Sequence, residues 1–93
     1  MEETIVRKAK VVNAHGIHAR PSHAIVSAAV DFDATIELHH AGRVADARSI
    51  LSVMTLGATQ GAEIEVHASG PQAEAAADRI VEILLAADGE AQA

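Results

Sequence analysis

Two segments alternate apolar and polar residues so regularly that they constrain the fold of this chain more than any other feature. In residues 34–39, Ala, Ile and Leu alternate with Thr, Glu and His; in residues 63–68, Ile64, Val66 and Ala68 occupy every second position. Successive side chains of a β-strand point to opposite faces. Each segment therefore predicts a strand with one buried and one exposed face, and a sheet of such strands is covered on one side only.

The other segments complete an α+β order. Residues 4–12 predict a first strand, with Ile5, Ala9 and Val11 on one face, and a short strand from Arg43 to about Asp46 returns from the turn at residues 40–42 as a hairpin. Helical spacing covers three segments: Ala19 to about Val30, Ser49 to Leu56 before Gly57, and a last helix opened by Ser69-Gly70-Pro71. The predicted order is β-α-β-β-α-β-α. Four antiparallel strands then carry all three helices on one face, because 93 residues are too few to cover both.

The apolar stripes of the two longer helices predict which side chains face the sheet. The stripe of the first helix contains Ser22, Ile25, Val26, Ala29 and Val30. That of the last helix contains Ala73, Ala76, Ala77, Ile80, Leu84 and Ala87, with Gly89 as its expected end. We predict one domain over residues 1–93, with a core at about 4–88 and a frayed tail at 89–93.

Composition argues against several classes of function. Phe32 is the only aromatic residue and the net charge is −6, whereas nucleic-acid binders use aromatic platforms and basic surfaces. The chain has no cysteine, so disulfides and thiolate chemistry are excluded. The acidic start resembles no secretory signal, and the longest apolar runs are far too short for a membrane span. We expect a cytoplasmic protein that binds neither nucleic acid nor membrane.

Residues 16–21 are the segment with the clearest chemical meaning. They read Gly-Ile-His-Ala-Arg-Pro, which places His18 just ahead of the predicted helix and Arg20 in its first turn. The first amides of a helix have no partner inside it and, with the macrodipole, attract anions. The same field disfavours a charged imidazole, so His18 keeps a nucleophilic nitrogen. A cation at this end of a helix is unfavourable unless an anion visits. We therefore predict that His18 carries a phosphoryl group and that Arg20 neutralises its charge.

This segment resembles the active-site signature of HPr, the histidine-containing phosphocarrier of the bacterial phosphoenolpyruvate:sugar phosphotransferase system. A second block, residues 48–57 (Arg-Ser-Ile-Leu-Ser-Val-Met-Thr-Leu-Gly), resembles the segment that holds the regulatory serine of that family. The two blocks lie about thirty residues apart, and the resemblance covers about Thr4 to Ala87. It implies an open-faced β-sandwich, with four antiparallel strands under three helices.

The resemblance also implies roles and partners. His18 matches the histidine that accepts a phosphoryl group on Nδ1 from phosphorylated Enzyme I and passes it to IIA domains. Arg20 matches the arginine that neutralises the phosphoryl oxygens. Ser49 matches the serine modified by an HPr kinase/phosphorylase, although serine is also a favoured helix N-cap. We expect a monomeric carrier with no cofactor, no bound metal and no enzymatic turnover of its own.

The short helix predicted after Ser49 contains more apolar residues than a helix of that length can bury. Of its side chains we predict Ile50 and Val53 to point inward, and Leu51 and Met54 to lie nearer the surface. Ile50, Leu51 and Met54 are also predicted, with Arg48, to form a docking surface for partners. A local basic patch around Arg20 is expected for Enzyme I; its candidates are Lys8, Lys10, Arg43 and Arg48.

Two histidines depart from the family pattern beside His18. His15 precedes Gly16, and His23 follows Pro21 together with Ser22. A metal site formed by the three histidines is not favoured, because their spacing does not match a helical pair and no carboxylate or thiolate joins them. We expect His15 and His23 to flank the site and to influence its response to pH. The remaining histidines, His39, His40 and His67, are predicted to be solvated.

Two alternatives stay open. The chain can be a regulatory paralogue of HPr, acting in nitrogen or carbon signalling rather than in sugar uptake; Asn13 is compatible with both branches. It can also belong to another class, a small-molecule-binding regulatory domain of α+β type, which would have no need for a histidine and an arginine at a helix start.

Overall fold

The computed structural model of the protein describes residues 4–86. The elements follow the predicted order. They are β1 (Ile5–Lys10), α1 (Ala19–Asp31), β2 (Thr35–His40), β3 (Arg43–Asp46), α2 (Ile50–Met54), β4 (Glu63–Ser69) and α3 (Ala73–Leu85). No helix among these residues is long and apolar enough to cross a membrane.

One antiparallel sheet with the strand order β1-β4-β2-β3 supports the site. The central strand β4 pairs with β1 and with β2, so that Ala68 lies between Ile5 and Ile36. Because both neighbours run against β4, β1 and β2 are parallel to each other, and the segments that follow them leave the same end of the sheet. The loop that leads into α1 therefore starts at the end of the sheet that also holds the β2–β3 hairpin.

The core lies between the sheet and the three helices, as the alternating strands predict. Ile36, Leu38, Ile64 and Val66 are fully buried on the helix side of the sheet. Arg7, which interrupts the apolar pattern of β1, also faces this side and is half-buried. Its guanidinium lies 3.4 Å from Glu74 and 3.3 Å from Asp78 of α3, so it ties the edge strand to a helix.

The buried stripe of α1 is rotated from the predicted one. Ser22, Ile25 and Ala29 are buried as predicted, and Ala24 and Ala28 join them. Val26 is half-buried. Val30 was predicted to face the core but is 51% exposed. Each helical residue advances about 100° around the axis, which carries Val30 beyond the edge of the stripe.

Helix α3 buries the predicted face together with Ile83. It begins two residues after Pro71, at Ala73, and its last described helical residue is Leu85. Gly89, Ala87 and the predicted frayed tail lie outside the described residues.

The helix-free face of the sheet carries two paired histidines. The rings of His39 and His67 stack with centroids 3.8 Å apart, and both are half-buried rather than solvated as predicted. Nε2 of His67 lies 2.9 Å from a carboxylate oxygen of Glu65. This hydrogen bond, helped by the charge of Lys8, lowers the pKa of Glu65 below its ordinary value. A carboxyl group whose pKa is lowered by folding stabilises the folded state at pH values above the ordinary pKa of glutamate. That contribution is lost as the pH falls through the pKa of the folded state.

Candidate functional site

A tight turn between β1 and α1 sets the position of the site. The buried Asn13 accepts two backbone hydrogen bonds: its Oδ1 from the amide of His15 at 2.8 Å, and its carbonyl from the amide of Gly16 at 2.9 Å. An asparagine that bonds the backbone two residues on forms an Asx turn. The backbone that carries His15 is therefore held in one conformation ahead of the helix.

Gly16 allows this loop to pack closely against the segment that follows α2. Its φ is +71°, and a Cβ atom there would lie 2.4 Å from the carbonyl oxygen of Ala58 and 2.9 Å from Cα of Thr59. The next amide, of Ile17, donates to the carbonyl of Ala58 at 3.1 Å, and the Ile17 side chain is buried. Only glycine allows this close approach at a positive φ.

We expect Gly16→Ala to destabilise the protein by roughly 2–4 kcal/mol, because a strained φ and a clash with backbone atoms add together. Gly42→Ala is the matched control: its φ is +82°, but nothing lies within 4 Å of the added Cβ. It should lose only about 1–2 kcal/mol. Urea denaturation of both variants measures the difference, and equal losses would contradict the close packing of the loop.

His18 occupies the N-cap position of α1. Its backbone is extended, with φ −109° and ψ −160°, and its carbonyl accepts the amide of Ser22 at 3.0 Å. The side chain makes no capping hydrogen bond, and the residue is half-buried. The imidazole therefore does not occupy the amides of the first turn as a capping side chain would.

The first turn of α1 has the composition of an anion site. It contains no acidic residue, Arg20 is exposed, and Pro21 supplies no amide. Negative charge at a helix N-terminus is stabilised by the macrodipole. Helix α1 has 13 residues, enough for a well-developed dipole. The arrangement can hold an anion bonded to the ring of His18.

The two additional histidines have different surroundings. The ring of His15 meets the ring of His18 edge to face, with centroids 5.7 Å apart and an interplanar angle of 85°. His23 is exposed and lines a groove on α1. Between residues 4 and 86, no three histidine, aspartate or glutamate side chains are arranged to hold a metal ion.

The groove beside the site is a feature that the sequence did not predict. It has a volume of about 830 Å³ and runs along α1 from Ala19 to Asp31, with Ile50 of α2 and Arg79 of α3 among its lining residues. Arg79 also lies 2.8 Å from Glu82. Arg79 lies beside α1 because α3 packs against α1. No pattern in the sequence around Arg79 predicts this position.

Helix α2 begins at the predicted cap but is shorter than predicted. Ser49 is its N-cap, and the Ser49 hydroxyl oxygen accepts the amide of Ser52 at 3.2 Å. Regular helix ends at Met54, after which the amide of Leu56 bonds to the carbonyl of Val53 at 3.2 Å. This tighter turn closes the helix in front of Gly57.

The apolar side chains of α2 divide differently from the prediction. Val53 is fully buried, and Leu51 and Met54 are exposed as predicted, at 77% and 41%. Ile50 was predicted to point inward but is 38% exposed, because it faces the groove instead of the sheet. A helix of five residues presents only one turn to the core.

The basic residues proposed to surround Arg20 do not converge there. Lys8 lies on the helix-free face of the sheet, 3.9 Å from Glu65. Arg48 lines a polar cavity with residues 30–35, at the far end of α1 from His18. Arg43 is nearer to the site, since its guanidinium donates to the carbonyl of Thr55 at 3.0 Å, just beyond the end of α2. Lys10 ends β1 and is exposed.

A four-stranded open sheet under three helices, with a histidine and an arginine at the start of the first helix, defines the class of histidine phosphocarrier domains. The model of the family described as "PTS HPr component phosphorylation site" matches residues 5–86. The chain belongs to the HPr family.

Solved structures agree with this assignment. The phosphocarrier protein HPr of Bacillus anthracis has a TM-score of 0.80 and 28% identity, with 84% of this chain and 93% of that chain covered. HPr-C-His of Thermoanaerobacter tengcongensis has a TM-score of 0.76 and 31% identity, with 90% of each chain covered. The catabolite repression containing protein Crh of Bacillus subtilis, described as a domain-swapped dimer, has a TM-score of 0.66 and 28% identity over 80% of this chain and 85% of that chain.

Proposed function

We propose that His18 accepts a phosphoryl group from phosphorylated Enzyme I and passes it to IIA domains. Family and fold support a phosphocarrier role in the phosphotransferase system. The observation that carries the residue assignment is the position of His18: it is the N-cap of α1, yet its imidazole makes no capping hydrogen bond. The ring is therefore available for chemistry beside an anion site.

The transfer needs one nucleophilic nitrogen. In the reactive tautomer the proton resides on Nε2, and the lone pair of Nδ1 attacks phosphorus. The bond between phosphorus and the atom of the donor breaks as the new bond to nitrogen forms, and the donor keeps the electron pair. The reverse exchange delivers the phosphoryl group to a IIA domain, so the protein is regenerated and acts as a co-substrate rather than as an enzyme.

The charge of the phosphoryl group is balanced by modest forces. A helix N-terminus contributes about 0.3–1 kcal/mol to an exposed anion. A charge-assisted hydrogen bond from Arg20 contributes roughly 1.5–3 kcal/mol. Phosphoryl transfer depends mainly on positioning and charge compensation, and weak holding lets the carrier release the group. The partner enzymes supply the remaining catalysis.

The exposed apolar residues of α2 support a docking role. Leu51 and Met54 lie beside Ile50, which lines the groove that runs along α1 to Arg20. An apolar patch beside a reactive group is the expected arrangement for partners that must bring their own site onto His18. We place the common docking surface for Enzyme I and the IIA domains at Ile50, Leu51 and Met54. Arg48 precedes the N-cap of α2, at the same end of the helix as Ile50, but it lines a separate cavity with residues 30–35.

Incubation with Enzyme I and phosphoenolpyruvate tests the proposal. Mass spectrometry should show the gain of one phosphoryl group, which is lost in acid because phosphohistidine is acid-labile. Addition of a IIA domain should then remove the group. A protein that gains no phosphoryl group under these conditions would contradict the proposal.

Ser49 supports a second, regulatory proposal: phosphorylation by an HPr kinase/phosphorylase. Its hydroxyl lies at the start of α2, directly before Ile50, and is half-buried. A phosphate at a helix N-terminus is tolerated electrostatically, so modification would leave α2 folded. It would add negative charge beside the docking surface and hinder partners.

We expect Ser49→Ala to lose about 1 kcal/mol of stability, because the amide of Ser52 loses its cap. Ser49→Asp retains a capping oxygen and should denature at nearly the same urea concentration as the parent, while its transfer from Enzyme I is slower. Denaturation midpoints and transfer rates of both variants measure this. An Asp variant as unstable as the Ala variant would show that Ser49 is not acting through its cap.

A regulatory paralogue remains the second candidate function, and the likeness to Crh is the observation that favours it. Sugar permease genes beside the gene would favour transport, whereas a kinase gene with a single IIA partner would favour regulation. Protein recovered from cells under opposite nutrient regimes would report the occupancy of His18 and Ser49.

A further inference from the structure

His15 is the side chain whose ring directly contacts the ring of His18. The edge-to-face contact, at 5.7 Å between centroids, needs both rings to be held in place. The backbone of His15 is held by the Asx turn of the buried Asn13, and Gly16 is pressed against Ala58. An edge-to-face pair is a favourable arrangement of two rings, and it restricts rotation of each.

We propose that His15 is a positioning residue for His18, and that its protonated ring stabilises the phosphoryl group that His18 carries. The inference rests on the proposed function of His18. A phosphoryl group on His18 adds oxygens within the space that the two rings share with the first turn of α1. An imidazole N–H can donate to such an oxygen, and an imidazolium adds a positive charge.

The other charged groups near the loop determine whether a dependence on pH can be assigned to the histidines. The loop and the first two turns of α1 contribute His18, Arg20 and His23. Segment 58–62, which packs on the loop, has no ionisable side chain. Among residues 4–86, Asp31 of α1 and Arg79 of α3 line the same groove as Arg20 and His23, and Arg79 pairs with Glu82. Lys10 ends β1 ahead of the loop, and Arg43 lies beside the end of α2. Among these groups the histidines alone change charge near neutral pH.

The lifetime of the phosphohistidine should therefore depend on His15. In hydrolysis, water oxygen attacks phosphorus, the phosphorus–nitrogen bond breaks, and the imidazole keeps the electron pair and takes a proton. Negative charge spreads over the oxygens in a loose transition state. We expect a cation placed beside the ring to stabilise the phosphorylated state more than this transition state, because the phosphoryl group moves away from the nitrogen as the bond breaks, and so to slow hydrolysis. The protection requires the imidazolium form of His15, so it is greatest at acidic pH and is lost once the ring is neutral.

Three variants separate the contribution of the aromatic ring of His15 from the contribution of its charge. His15→Phe keeps a ring edge without charge, His15→Arg keeps charge without titration, and His67→Asn is a control on the helix-free face of the sheet. Phosphoramidate, a small-molecule phosphoryl donor, loads the proteins without Enzyme I, and the signal absent from His18→Asn is assigned to His18. Hydrolysis is then followed from about pH 5 to about pH 9. Failure of Enzyme I to load the parent would count against the proposed function and not against this inference.

At the acidic end we expect His15→Phe to lose its phosphoryl group roughly two- to five-fold faster than the parent, the range of an exposed charge pair. The two rates should converge at the alkaline end. His15→Arg should remain slow throughout and lose the pH-dependent step. Superimposable profiles for the parent and His15→Phe, or an equal change in His67→Asn, would overturn the electrostatic role.

The positioning role of His15 is tested separately, in the unphosphorylated protein. NMR relaxation of the His18 ring should report greater mobility in His15→Ala than in the parent, and His15→Phe should restore the parent value. Unchanged mobility in His15→Ala would overturn the positioning role, whatever the loading by phosphoramidate.

Discussion

His18→Asn should abolish phosphorylation by Enzyme I while leaving the protein about as stable as the parent. The variant removes the imidazole at the N-cap of α1. Asparagine is a favoured N-cap, and the native side chain makes no capping hydrogen bond that could be lost. The new cap contributes about 0.5–1 kcal/mol and offsets the loss of the ring contact with His15, so we expect a free energy of unfolding close to that of the parent. Loss of transfer with unchanged stability would separate a chemical role from a structural one.

Mass spectrometry after incubation with Enzyme I and phosphoenolpyruvate gives the readout, and urea denaturation gives the stability. His67→Asn is the matched control, since it makes the same change on the helix-free face of the sheet and should be phosphorylated like the parent. An acid-labile phosphoryl group on His18→Asn would show that another histidine is the acceptor. His15 and His23 would then be examined in the same way.

Most of the fold could be predicted because its strands have one buried face. The alternation at residues 34–39 and 63–68 predicted β2 and β4 to within one residue at each end, and β3 has its predicted bounds. The strands then required helices on one side only. Ser49 was recognisable as a cap from residue type alone, and its hydrogen bond to Ser52 agrees with that prediction.

The errors arise where tertiary packing, not local pattern, decides. Val30 lies on an apolar stripe in sequence, but helix α1 turns it toward solvent. Ile50 faces the groove because the core accepts only Val53 from a single turn of α2. Lys8 is close to the site in sequence and yet is on the other face of the sheet, since alternate residues of β1 point to opposite sides.

The site itself was predictable in part. Residues 16–20 lie together because they are consecutive, so their placement at the start of α1 needed only a correct helix boundary. The contact between His15 and His18 depends on the Asx turn of Asn13 and on the close packing of Gly16 against Ala58. The contact of Gly16 with Ala58 joins segments more than forty residues apart, and no pattern within a single segment predicts it.

Leu51→Glu should slow phosphoryl transfer from Enzyme I by roughly 10- to 100-fold without destabilising the protein. Leu51 is 77% exposed, so its replacement leaves no cavity in the core. Apolar residues at the centre of an interface account for most of the binding energy, and a buried unpaired charge opposes association. The defect should therefore appear as a higher KM for this protein as the substrate of Enzyme I, with little change in kcat. Transfer rates measured over a range of carrier concentrations distinguish the two.

Val44→Glu is the matched control for this variant. Val44 is also an exposed apolar residue, at 56%, but it lies on β3, the edge strand far from β1. It should denature like the parent and retain its transfer rate, because the partners approach the helix layer that bears His18. Equal defects in the two variants would indicate a general effect of added negative charge on an acidic protein. Unimpaired transfer by Leu51→Glu would move the docking surface away from α2, while the assignment of His18 would stand on its own test.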